Sequence, residues 1–374
     1  MSSRLTRLRP FAVGLLAVAI PAAAAVAVGA PDASARIAPN SFHQTNLISN
    51  LGNVGAKVVD AELQNSWGLA LSPTSPLWVA DNGTSVATVY GVGAGGATAT
   101  KANLTVTLPP ADSAPTGQVF NPTSSFEVRS NAGKGPAAFI FSSESGHIIA
   151  WNSKADPIVN GVSTAQVEYS SPVGAIYKGL AIANAGRSTF LYATDFHNGR
   201  IDVFDSRFKK VRLFGDFKDG NLPRGYAPFG IQELNGFLYV SYALQSADKV
   251  DDVAGPGHGF VDVFTNSGLL AKRLVTRGDL NSPWGLALAP AGFGPFGGAL
   301  LVGNFGDGLI HAYALGSGLP LGALRNQQHQ PIRIDGLWGL LFGTAATGGP
   351  GTLLFSSGPN DEADGLVGAI TPAP

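Results

Sequence analysis

The chain of 374 residues contains no cysteine. Disulfides, thiol catalysis and cysteine-ligated zinc or iron–sulfur sites are therefore excluded, and stability has to come from core burial and closure. Charge is also scarce. Only 13% of residues are Asp, Glu, Lys or Arg, and the formal net charge is −1. Such a balance gives no overall attraction to nucleic acid or to an anionic membrane. One cationic cluster, Arg207, Lys209, Lys210 and Arg212, carries only Phe208 among aromatics and reads as a solvated hairpin edge. The motifs G-x-S-x-G, H-E-x-x-H and G-x-x-x-x-G-K-[ST] are missing. Beyond the first 35 residues there is no helical periodicity and no apolar run long enough to span a bilayer.

The N-terminus has the form of an export signal. Arg4, Arg7 and Arg9 precede an apolar stretch over 11–30, and Ala33-Ser34-Ala35 fits a small-residue cleavage site. The expected division is a signal peptide over 1–35 and one secreted domain over 36–374. An uncleaved anchor is the alternative, against which Pro21 and Gly29 argue.

Glycine and proline are plentiful, 49 and 25 residues, with no collagen-like period. The glycines instead mark a repeat. NSWGLALSP at 65–73 returns as SPWGLALAP at 282–290. Weaker copies centre on Gly117, Gly179, Gly230 and Gly339, so that the intervals from Gly68 onward are 49, 62, 51, 55 and 54 residues. Each copy is followed by a second apolar run such as TFLYATD or GALLVGN. A turn rich in Gly, Asn and Asp follows, then a third run such as RIDVFD or FVDVFT. Four short β-rich runs per unit are the pattern of propeller blades. The fold class is therefore all-β, a six-bladed β-propeller. The sixth unit has room for only three strands, so FHQTNLISN at 42–50 is expected to supply the fourth and close the ring from the N-terminal side. Glycine at the repeated position lets innermost strands crowd around a channel.

The phrases LYATDFHNGRIDVFD and LLVGNFGDGLIHAY resemble NHL-type and surface-layer propeller repeats. ADKVDDVAGPGHGFVDVF, NSPWGLALAP and GPNDEADGL, with the other repeat phrases, resemble more closely a family of secreted bacterial propellers without an assigned activity. That resemblance implies the fold and export and carries no mechanism.

In a propeller, the loops entering the innermost strands share a face with the second-to-third-strand turns. This top face is expected to gather Trp67, Thr116, Lys178, Phe229, Trp284 and Trp338 from the entries. From the turns it gathers Asp81, Glu144, Asp195, His197, His258, Asn304, Asp307, Asp361 and Asp364. Trp67, Trp284 and Trp338, with Phe229 and Lys178, could form a stacking surface for a small molecule or glycan. Packing between blades is the competing role, and large aromatics commonly take it. Asp195, His197, His258 and Asn304 complete the candidate ligand-binding set. Asp248, Asp251, Asp252, Asp361 and Asp364 are candidate calcium ligands, although position twelve after Asn360 is Thr371 and no EF-hand results. Turn acids are the plain alternative. His147, His197, His258 and His311 stand near third-strand starts at unequal offsets, which argues against a shared zinc.

The leading expectation is a monomeric secreted module that binds an extracellular small molecule, glycan or protein partner through its top face. Neither nucleic acid nor membrane is among the expected partners. The alternative is a metal-dependent, lactonase-like hydrolase or lyase with its site at the channel.

Overall fold

The computed structural model describes residues 39–373. The signal peptide expected over 1–35, with its cleavage site, lies outside the described residues. No helix among the described residues is long and apolar enough to cross a membrane.

Six sheets form the blades, antiparallel through their main strands, each led by the strand that carries the repeated glycine. Blade 1 opens with Ser66–Ala70, blade 2 with Pro115–Phe120 and blade 3 with Tyr177–Ala185. Blade 4 opens with Tyr226–Leu234, blade 5 with Pro283–Leu288 and blade 6 with Leu337–Phe342. The expected closure is present. Phe42–Ser49 runs antiparallel to Leu366–Pro372 as the fourth strand of blade 6, pairing Phe42 with Pro372 and Ser49 with Leu366. Closure of this kind covers the edge that a three-stranded blade would leave open.

The glycine ring explains why the phrase repeats. A Cβ on Gly230 would lie 2.1 Å from the Trp284 carbonyl oxygen, and one on Gly117 would lie 2.3 Å from the Leu180 nitrogen. Each remaining glycine faces the next blade in the same way, and Gly339 meets the Trp67 carbonyl, which closes the circle. Pairing with the second strand slips beside these glycines, as between Ser66 and Leu69 or Tyr177 and Gly179. Hydroxyls of the second strand take over the displaced bonding. Thr194 Oγ1 donates to the Phe229 carbonyl at 2.7 Å, and Ser356 Oγ donates to the Trp67 carbonyl. Apolar cores fill the spaces between blades. Phe139, Trp151 and Trp78 pack together between blades 1 and 2, for example, while Tyr192, Phe217 and Phe264 pack between blades 3 and 4.

Candidate functional site

The entry positions meet on the axis, and they are buried. Trp67, Phe229, Trp284 and Trp338 join Phe196, with Phe305 packed beside them, in one aromatic cluster. Trp338 lies between Trp67 and Phe305, stacked at centroid distances of 3.4 and 4.0 Å. Trp284 meets the Trp67 and Trp338 rings edge-on. Two indoles find partners: Trp284 Nε1 donates to the Lys178 carbonyl at 2.9 Å and Trp338 Nε1 to Asn65 Oδ1 at 3.1 Å. The expected solvent-facing stacking surface is thus corrected. Six blades bring these rings to one axis, where stacking on each other removes more apolar area than a rim position would. They form a plug across the channel.

A polar network covers this plug. The Lys178 side chain is 2% exposed. Its ammonium pairs with Glu144, reaches Asp251 Oδ1 at 3.2 Å, and stands 5.3 Å from the Trp67 ring. Burial disfavours the Lys178 cation, but Glu144 and Asp251 outweigh it and hold the amine above its ordinary value. Glu144 accepts a bond from Asn82 Nδ2 at 2.9 Å, and Asn65 Nδ2 approaches Asn82 Oδ1 at 3.2 Å. Asn65 also donates to Glu362 Oε2 at 2.6 Å. A chain of polar contacts therefore runs from Glu362 through Asn65, Asn82 and Glu144 to Lys178 and Asp251. Burial raises the carboxyl of Glu362, partly offset by the Asn65 bond, while Glu144 adds to the rise. Burial raises Asp252 as well, while Lys178 favours its charged form.

Local backbone places these groups. Asn65, Ala114, Ser282 and Gly336 each stand two residues before an entry position and have φ of 45, 48, 47 and 59°. This left-handed kink turns the entry loop onto the mouth, and Asn and Gly accept it more readily than Ala or Ser. Asn360, Asp361 and Glu362 follow one another at φ 59, 53 and 65°, a costly run for residues with side chains. It places Glu362 inward over Asn65.

The other expected residues are dispersed. Asp195 is buried in its turn, bonded to Asn198 and 3.2 Å from Arg200. His197 Nδ1 contacts the Lys249 carbonyl at 3.2 Å, and His258 Nδ1 contacts that of Val253 at 2.8 Å. Asn304 donates to the Asp279 carbonyl at 2.8 Å. His147 bonds Ser145, and His311 lies 3.9 Å from Asp279. Asp248 accepts from Ser246 at 2.6 Å, Asp364 from Asn50 and Asn360, and Asp361 is exposed. Among the described residues, no three His, Asp or Glu side chains form a set suited to a metal ion. Asn65, Asn82 and Glu362 were not singled out in the sequence. Their one signal was position: Asn65 sits two residues before a repeated Trp, Asn82 follows the second run of the same blade, and Glu362 lies in the sixth blade's acidic turn.

Comparison with known proteins places the chain in a family. It is 32% identical over 337 residues to an uncharacterised protein of Acanthamoeba polyphaga mimivirus, covering 87% of this chain and 78% of that one. A second uncharacterised mimivirus protein is 33% identical over 332 residues, with 87% and 84% covered. The chain belongs to this mimivirus-protein family. These relatives are viral, so the bacterial origin suggested by sequence resemblance finds no support among them. No family model matches. Among solved structures, the GH93 α-L-arabinofuranosidase of Fusarium graminearum superposes with a TM-score of 0.52 at 12% identity, over 89% of this chain and 98% of that one. The soluble aldose sugar dehydrogenase of Escherichia coli gives 0.51 at 11%, over 89% and 100%. At these identities the likeness concerns the propeller fold alone.

Proposed function

We propose that this member of the mimivirus-protein family is a binding module whose working surface is the channel mouth, and that it recognises a ligand bearing an amine or guanidinium group. One observation carries the reading: the single ammonium at the mouth, that of Lys178, is paired by Glu144 and Asp251 above an aromatic floor, with the carboxyls of Asp252 and Glu362 within range of its charge. Carboxylates outnumber cations there, so a cationic group is favoured over an anion. The aromatic floor excludes water from beneath and strengthens each charge pair above it. The sequence form of residues 1–35 supports an exported location.

Titration calorimetry with spermidine, and with chitohexaose as a neutral glycan, tests the reading. Spermidine is expected to bind, because its cationic amines pair with the carboxylates at the mouth. Glu144→Gln and Glu362→Gln should each weaken it about tenfold, in line with a loss of about 1.4 kcal/mol per partner. Absence of spermidine binding, or equal binding by both variants, would overturn it.

A second reading, a hydrolase or lyase at the same mouth, draws on Glu362 alone. Its carboxyl is raised by burial and held by strained backbone, as proton-transfer groups often are. No metal-dependent step is assigned to it, because among the described residues no three His, Asp or Glu side chains form a set suited to a metal ion. Turnover of aryl esters or lactones that Glu362→Gln abolishes would support this reading, and an inert panel would remove it.

A further inference from the structure

Blade 3 is the least finished blade on its outer side. Its third strand, Arg200–Phe204, meets an outer strand of only two residues, Lys210–Val211, paired with Phe204 and Val203. Among the described residues no strand or bridge covers Arg200, Ile201 or Asp202 on that side. In blade 4 the corresponding strand, Phe260–Thr265, is paired outward from Phe260 through Phe264.

The cause is visible in the next few residues. Instead of continuing along blade 3, the chain crosses to blade 4. Gly215 N donates to the Ser267 carbonyl at 2.9 Å and Phe217 N to that of Gly268 at 3.1 Å. Gly215 fits so closely there that a Cβ would lie 2.0 Å from the Gly268 carbonyl carbon. Phe217 then buries its ring against Tyr192 and Phe264. Tethered to the neighbouring blade, this segment leaves a slot of about 260 Å³ beside the uncovered edge. Its lining includes Arg200, Lys210, Arg212 and Lys218, against Asp202 and Asp216. Arg200 and Lys210 are occupied by Asp202. Arg212 is exposed and has no ion-pair partner among the described residues, and Lys218 reaches only Asp216, at 3.8 Å. Phe214, 88% exposed, stands at the crossing.

We propose that this slot is a docking site for an extended acidic segment of a partner protein, which adds as a strand along Arg200–Asp202 and sets its carboxylates against Arg212 and Lys218. An uncovered sheet edge offers main-chain donors and acceptors that an added strand satisfies. Cationic side chains on a chain of net charge −1 select for an acidic occupant. The apolar residues that alternate with the carboxylates on such a strand face Phe214 and Ile201. This site lies on the outer rim and does not depend on the channel mouth.

The test is fluorescence anisotropy of the full protein with three fluorescein-labelled heptapeptides: alternating glutamate and valine, the same peptide methylated on its pairing backbone nitrogens, and alternating lysine and valine. The glutamate peptide should bind saturably and lose affinity at higher salt. Backbone methylation should weaken it at least tenfold, and the lysine peptide should not bind. The double variant Arg212→Glu/Lys218→Glu should also bind at least tenfold more weakly, with an unchanged melting temperature because both side chains are exposed. Failure of the glutamate peptide to bind would overturn the proposal. Equal binding of the methylated peptide would also overturn it, by showing a site for anions that needs no strand pairing. Unchanged binding by the double variant would do the same for the charge assignment.

Discussion

The two ends of the central channel are built from the same six strands and differ in kind. At the mouth, side chains point from kinked entry loops, and two carboxylates, Glu144 and Asp251, share one lysine over stacked indoles. At the opposite end, past the glycine ring, the opening is a shallow cavity of about 280 Å³. Leu71, Val119, Phe120, Ile182 and Leu341 line it, with Gln118, Gln232 and Glu233 among them. Between them the channel narrows to a space of about 30 Å³ beside the glycines. One repeat therefore produces a charged, preorganised end and an end of mixed aliphatic and amide lining. The difference comes from what each entry loop contributes before the glycine, since the residues after it pack between blades or line the far opening.

Removing the plug should blur this contrast most. Trp338→Ala empties the central ring of the stack and is expected to cost about 3–5 kcal/mol, the range for deleting a buried aromatic. Leu341→Ala, partly exposed at the opposite end, should cost less than half as much. Denaturant unfolding of both variants makes the comparison, and equal losses would mean the plug is no more structural than the rim.

A smaller effect is expected at Lys178. Lys178→Ala leaves Glu144 without its cation, and a broken buried pair costs about 3–5 kcal/mol, here nearer 2–3 because Glu144 is a quarter exposed. Lys178→Met, which keeps the apolar stem, should recover part of that loss. A loss below 0.5 kcal/mol, no larger than an ordinary surface substitution, would show that the ammonium is not held as described.

The finest distinction is in pH. The folded-state value of Glu362 lies above its unfolded one. As pH rises past about 4.3, the unfolded chain gives up this proton while the folded chain keeps it, so folding stability falls until the folded value is passed. Glu362→Gln stays neutral and keeps a carbonyl for Asn65. The variant should therefore gain on the native protein between pH 4 and pH 8 in melting temperature. A constant difference across that range would place Glu362 in an ordinary solvated setting.

Much of the fold could be read in one dimension because the repeat is a backbone requirement. A glycine that faces the next blade's carbonyl cannot be replaced, so it recurs, and its spacing counts the blades. The closing strand was readable for the same reason: a unit with three strands leaves an edge that must be filled, and 42–50 was the segment in the right place. The site was readable only in part. Lys178 and the three entry tryptophans stood out as large or charged residues at a repeated position, yet nothing in their order distinguished a buried plug from an exposed platform. The five acidic candidates were grouped by proximity in sequence. In space Asp251 and Asp252 lie at the mouth, while Asp248 bonds within its own turn, Asp364 bonds Asn360 and Asn50, and Asp361 is exposed.

The sequence by itself determined the number of blades, the glycine waist and the N-terminal closure, because each is a local rule repeated along the chain. Only the tertiary structure decided which residues meet. Glu362 and Asn65 are 297 residues apart, and Lys178 and Asp251 are 73 apart. A ring converts such separations into contacts of about 3 Å, and no local pattern records them. The same holds for the slot in blade 3, which exists because a passing segment bonds to the neighbouring blade and leaves its own strand edge bare.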